Sequence, residues 1–201
     1  MKKIFVIFAL ALVILLPQMA LADTVTYLGP KYGFEWINFD YTYAPPSGAQ
    51  AGEFKIELNG VETWAFCVDL ENTIAYENQA NGSTPVGVYA QAAYLADQFR
   101  LQADTKAESA ALQTAIWEAV YGIDFTYKSG LSDPSYLATY SAALGNYDPN
   151  WNASGYLYLI LSDAAGNPKQ GLITSVPEPF TLLLIGIGLV GLAGVGRKLK
   201  H

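Results

Sequence analysis

Residues 53–70 read EFKIELNGVETWAFCVDL. From Glu53 to Leu58, Phe54, Ile56 and Leu58 alternate with Glu53, Lys55 and Glu57, the period-two pattern of a strand with one buried face. Asn59-Gly60 follows, the dipeptide best suited to the two left-handed residues of a tight hairpin turn. Glu62 to Leu70 then supplies the return strand, which puts Trp64, Phe66 and Val68 on one face and Ala65, Cys67 and Asp69 on the other.

Outward from this hairpin, Thr24–Leu28 and Glu35–Thr42 carry β-branched and aromatic residues and read as earlier strands. Tyr156–Leu161 and Leu172–Thr174 read as two late strands, with Gly166-Asn167-Pro168 in the turn between them. Pro45-Pro46-Ser47-Gly48 and Gly82-Ser83-Thr84-Pro85 read as loops. The middle is helical. Val86–Leu101 places Tyr89, Ala92, Ala93, Ala96 and Phe99 at helical spacing. Thr105–Tyr121 opens on a capping box, Thr105 with Glu108, and stops at Gly122. Asp133-Pro134 pairs an N-cap with proline at the first helical position, opening a third helix that runs to about Leu144 and stops at Gly145. Strands, helices and strands again predict an α+β fold: a β-rich sandwich or barrel-like domain with an inserted helical part.

Composition removes several kinds of chemistry. The 201 residues include one His, His201 at the last position, so no imidazole serves a triad, a metal or a proton shuttle within the fold. The single Cys, Cys67, has no partner for an internal disulfide, a CxxC redox pair or a zinc site. No cofactor and no metal are expected. Asp69, Glu71, Glu77 and Asp97 show no spacing that marks a glycosidase pair or a calcium loop.

The two ends separate from the middle. Met1–Ala22 has Lys2 and Lys3, an apolar run from Ile4 to Leu16, and Ala20-Leu21-Ala22 as a small-x-small cleavage site, the pattern of a secretory signal peptide. At the other end Val176-Pro177-Glu178-Pro179 precedes an apolar, glycine-rich run of 17 residues, Phe180–Gly196, and then Arg197-Lys198-Leu199-Lys200-His201. That run just suffices to span a bilayer, with the basic end held on the cytoplasmic side. Three segments follow: a signal peptide at 1–22, an extracellular domain at 23–175 and a sorting tail with a transmembrane helix at 176–201. The extracellular segment holds six Lys/Arg against 17 Asp/Glu, a net charge of −11. Nucleic-acid recognition needs a basic footprint and is excluded as a function.

The tail resembles the PEP-CTERM sorting signal: Pro177, Glu178 and Pro179, an apolar helix, and a basic end beginning at Arg197. The resemblance implies recognition by an exosortase, a membrane cysteine protease, with transient anchoring in the inner membrane and final placement at the cell surface or in the extracellular matrix.

Two further features lie within the domain. Gln113 falls inside the apolar stripe of the second helix, Leu112, Ile116, Trp117 and Val120, where a primary amide must find partners. Cys67 sits in mid-strand. A thiol held against a glutamine amide in an apolar enclosure can expel ammonia and leave an internal thioester, a stored acyl group for an approaching amine. For each residue taken singly, core packing explains it as well.

Phe66-Cys67 and Gln113-Thr114-Ala115-Ile116-Trp117 resemble the aromatic-Cys and Gln-x-Ala-Ile-Trp motifs of bacterial surface thioester domains, with Leu112 where that family often has Thr. The resemblance implies Cys67 as thiol, Gln113 as acyl donor, and covalent attachment to a surface ligand through a nucleophilic amine, in a single event without enzymatic turnover. Phe66 and Trp117 are expected to shelter the bond. The alternative is a non-covalent structural or saccharide-binding module of the exopolysaccharide matrix.

Overall fold

Residues 23–176 are described by the structure, a computed structural model. In chain order they form β1 (Asp23–Pro30), β2 (Glu35–Tyr41), β3 (Ala44–Ala51), β4 (Phe54–Leu58), β5 (Val61–Cys67) and β6 (Glu77–Ser83). The helices α1 (Val88–Phe99) and α2 (Lys106–Tyr121) come next, then β7 (Phe125–Ser129), α3 (Pro134–Ala143), β8 (Tyr156–Ser162) and β9 (Leu172–Ser175). The signal peptide and the sorting helix lie outside the described residues. Among those described, no helix is long and apolar enough to cross a membrane.

The two alternatives of sandwich and barrel resolve into a closed antiparallel barrel, β1-β4-β5-β9-β8-β6, beside a three-stranded sheet, β3-β2-β7. The hairpin at its centre forms as the sequence dictates. Asn59 (φ 53°) and Gly60 (φ 81°) both adopt the left-handed conformation, and Leu58 pairs with Val61. Closure removes the edges that an open sheet of these strands would expose.

The helix α2 runs between the barrel and the small sheet, against β2, β3, β5 and β7, with α1 and α3 packed alongside. Both of its ends match the sequence signals. Thr105 Oγ1 accepts from the Glu108 backbone N–H at 3.3 Å, the Thr105 N–H donates to Glu108 Oε2 at 3.1 Å, and Gly122 takes a positive φ of 56°. The single stripe expected along it is corrected. Every residue from Ser109 to Trp117 is buried, and Val120 is only half-buried. A helix covered on all sides carries no amphipathic pattern, and its alanines keep it thin enough to be enclosed.

Three strands escape a sequence reading. The stretch around Pro45-Pro46-Ser47-Gly48 belongs to β3, the outer strand of its sheet, and the two prolines fall where the pairing with β2 shifts register, an edge irregularity that tolerates proline. Gly82 and Ser83 end β6, a polar strand with only Asn78 and Ala80 buried, whose position between β1 and β8 closes the barrel. The short β7 pairs with β2 directly after α2. In all three the partner strands, rather than local propensity, decide the conformation.

Replacement of Thr105 by Ala removes the cap that starts the central helix. It is expected to lower stability by about 1 kcal/mol, read by urea denaturation, without changing the fold.

Candidate functional site

The site begins where the β4–β5 hairpin opens. The two strands pair from Leu58–Val61 back to Phe54–Ala65, and β4 starts at Phe54. The next position of β5 with its backbone groups on that side is Cys67, and no strand remains to meet them. Successive residues of an antiparallel strand direct their N–H and C=O to alternate neighbours. Accordingly the Val68 N–H reaches the Gly171 carbonyl at 2.9 Å, continuing the β9 side, while Cys67 turns toward α2.

There Gln113 takes the place of a strand. The Cys67 N–H donates to Gln113 Oε1 at 2.9 Å, and Gln113 Nε2 donates to the Cys67 carbonyl at 2.8 Å. Both residues are fully buried, so each of these groups would otherwise be stranded without water. One turn earlier, the Glu53 N–H donates to Ser109 Oγ at 2.7 Å at the foot of β4. One turn later comes Trp117. Ser109, Gln113 and Trp117 recur every four residues and present one face of α2 to the gap in the barrel wall.

The Cys67 sulfur is held separately. It donates to the Asp69 carbonyl at 2.9 Å and accepts from the Asp69 N–H at 3.3 Å. Burial pushes the thiol up from 9.0 to about 12, and its hydrogen bonds with Asp69 and with Trp117 pull the other way. The Trp117 side chain thus lies beside this sulfur. The Trp117 ring packs 6.2 Å from both Phe39 and Phe125 of the small sheet. Phe66 is equally buried but occupies the other face of β5, with its ring 5.8 Å from that of Trp64. The structure therefore brings Cys67, Gln113 and Trp117 together, with Phe66 beneath.

Residues that the sequence does not mark hold the chain beyond Cys67. Tyr121, at the end of α2, accepts from the Leu70 N–H at 2.8 Å and donates to the Val68 carbonyl at 3.4 Å. Tyr41 of β2 donates to Glu71 at 2.9 Å, and burial together with that carboxylate raises its hydroxyl to about 12. Gln170 Nε2 donates to the Asp69 carbonyl at 3.3 Å. No short motif signals these, because each reaches across at least thirty positions of chain. A cleft of about 370 Å³ opens over this segment, with Asp69 and Trp117 among its walls.

A family model described as the PEP-CTERM protein-sorting motif matches residues 175–198. The chain carries that sorting motif. It includes Pro177, Glu178, Pro179 and Arg197, all outside the described residues, and it implies export, membrane anchoring before processing, and processing by an exosortase. No curated protein and no solved structure matches the chain.

Gln113→Leu would leave the Cys67 N–H and carbonyl buried and unpaired. A loss of about 2–6 kcal/mol is expected in equilibrium unfolding, at the rate of about 1–3 kcal/mol for each of the two orphaned groups. Titration of the thiol has a definite sign. A folded pKa of about 12 against 9.0 means that the stability tied to the neutral thiol is complete below pH 9.0 and is lost as pH rises toward about 12. With Cys67 as a free thiol, unfolding measured across that window is expected to show a steeper alkaline loss in the native chain than in Cys67→Ala.

Proposed function

We propose that this protein is exported and exosortase-sorted, and that its domain couples covalently to amine-bearing ligands through an internal thioester between Cys67 and Gln113. The observation that carries the proposal is the pairing of the Gln113 amide with Cys67 itself inside a closed apolar enclosure. The amide carbon is thereby held beside the residue that bears the thiol, and the sulfur, which rests on Asp69, would turn from it to reach that carbon. The Cys67 N–H already donates to Gln113 Oε1 and would stabilise the oxyanion of a tetrahedral intermediate.

The step balances without an external base. Sulfur attacks the amide carbon, the C–N bond breaks, and the thiol proton leaves with the nitrogen as ammonia. Aminolysis reverses the roles: the amine nitrogen bonds to the Gln113 carbonyl carbon, the C–S bond breaks, and a proton returns to the Cys67 sulfur. Trp117 on the sulfur side and Phe66 on the barrel side would exclude water from the stored acyl group.

The full hydrogen bonding of Gln113 also favours a second reading, in which the amide is a permanent structural rung and the domain is a non-covalent matrix module. Intact mass separates the two. The purified exported protein is expected to be lighter than its sequence by one ammonia, to lose that difference in Cys67→Ala and Gln113→Ala, and to take up methylamine with release of a free thiol. An unmodified mass with a titratable thiol on unfolding would leave the structural reading in place.

For the tail, the mature protein is expected to lack Leu182–Gly196. A C-terminal peptide ending at His201, recovered from the exported protein, would contradict processing.

A further inference from the structure

A pocket of about 270 Å³ lies where β4 and β5 meet the end of α1, with Lys31, Lys55 and Arg100 in its wall beside Glu53, Glu62 and Trp64. Half of the six Lys/Arg of the extracellular segment thus gather at one place in a domain of strongly negative charge. The acids among them do not use these cations up. Glu53 is fully buried, and Lys31 Nζ at 3.2 Å and Arg100 Nη2 at 3.0 Å both reach its Oε1, two positive charges on one negative. Arg100 Nε donates to the same oxygen at 3.0 Å. An ammonium has three donors and a guanidinium five, so both side chains keep N–H groups beyond these contacts. Both also keep surface, 29% of the Lys31 side chain and 20% of that of Arg100. Trp64 holds Arg100 in place, with the guanidinium carbon 4.6 Å from its ring centre. Lys55 pairs with Glu62 at 3.3 Å, but both are exposed, and such a pair exchanges readily for another carboxylate. Three positive and two negative groups leave the pocket positive.

The chain leaves the described residues at the rim of this pocket. Ser175 pairs with Tyr156 of β8, and its Oγ lies 3.5 Å from Oγ1 of Thr63, which lines the pocket. The Pro177-Glu178-Pro179 strip begins two residues later, and Glu178 is the only acidic side chain between there and His201. Proline after Val176 and after Glu178 biases both positions to extended backbone, and three extended residues reach about 10 Å. Pro177 and Pro179 carry no N–H, so the strip is ill suited to prolonging the β9 ladder.

We propose that this pocket is a carboxylate site and that its occupant in the unprocessed protein is Glu178 of the sorting motif. Lys31 and Arg100 supply the hydrogen-bond donors, and Lys55 adds charge at the mouth. A tether this short presents the carboxylate at an effective concentration in the millimolar range, so a weak site suffices to hold it. A docked Glu178 is withheld from the exosortase, and release of the strip from the folded domain precedes processing. That consequence rests on the sorting reading; the site does not.

The precursor, made in cells without an exosortase and purified in detergent, is treated with a water-soluble carbodiimide. The reagent joins a carboxylate to an amine in contact with it through an amide bond and itself takes up the water released. Peptide mass spectrometry is expected to find Glu178 joined chiefly to Lys31 or Lys55. The yield at Lys31 is expected to fall about two- to fivefold in Lys55→Gln and to rise by a similar factor in Glu62→Gln, the effect of one exposed charge. Both positions are exposed, so the fold persists in each variant. In cells that contain the exosortase, Lys55→Gln is expected to lose the sorting helix sooner and Glu62→Gln later.

Crosslinks to Lys31 and Lys55 that are absent, or that ignore both substitutions, overturn the site, because a tail that only passes nearby is indifferent to the charge of its neighbours. Chief crosslinking of Glu178 to Lys169 overturns it as well, and dimers joined through Lys31 or Lys55 would assign this face to a second copy of the chain. A charge-dependent crosslink with unaltered processing overturns the control of sorting alone. Docking is read without the exosortase, so a helix that is never removed counts against the sorting reading and not against the site.

Discussion

The domain depends on a side chain standing in for a strand. The β4–β5 hairpin is fixed at its tip by Asn59-Gly60, but its far end diverges because β4 has no residue to set opposite Cys67. A barrel wall with an open rung turns backbone groups into a fully buried apolar interior, where an unpaired group is costly. Gln113 meets both groups at once, and Ser109 meets the Glu53 N–H one turn away. These bonds fix the rotation and height of α2 against the barrel. Through α2 they also position the small sheet, whose Phe39 and Phe125 pack on Trp117. The buried polar face of the helix is what joins the two sheets in one defined arrangement.

The same constraint explains which parts of the fold are legible in the sequence. The hairpin turn, the Thr105 capping box and the Asp133-Pro134 start are local devices in which neighbouring residues satisfy one another, and each appears where the sequence puts it. The strands β3, β6 and β7 are made by pairing across the chain, so prolines at an edge and a run such as Glu77–Ser83 give no local sign of them. The α2 stripe misleads for a related reason: periodicity reports a helix with a wet side, and this helix has none between Ser109 and Trp117.

The site shows the same division. Cys67 and Gln113 stand out as a thiol and an amide in apolar settings, and they do meet. What the sequence does not convey is that the amide engages the backbone of Cys67 while the sulfur turns to Asp69. Nor does it reveal the brace around them. Tyr121, Tyr41 and Gln170 fix the chain from Val68 to Glu71, although the sequence offers them only as ordinary aromatic and polar residues. That segment forms both the sulfur's resting contact and one edge of the cleft.

Under the proposed chemistry, opening the rung at Cys67 carries a cost. The amide form satisfies both backbone groups. A thioester keeps the Gln113 carbonyl oxygen as acceptor for the Cys67 N–H but discards the nitrogen that donated to the Cys67 carbonyl, leaving that acceptor buried and alone. The vacancy costs on the order of 1–3 kcal/mol, comparable to other orphaned buried groups. Aminolysis does not refill it: a trans secondary amide carries the new substituent on the oxygen side, where the donated hydrogen stood, and turns its single N–H away from the Cys67 carbonyl. Hydrolysis yields a carboxylate in an apolar enclosure, which is costlier still. Only the unreacted Gln113 amide fills the gap that β4 leaves, so storing an acyl group gives up half of the support that joins α2 to the barrel.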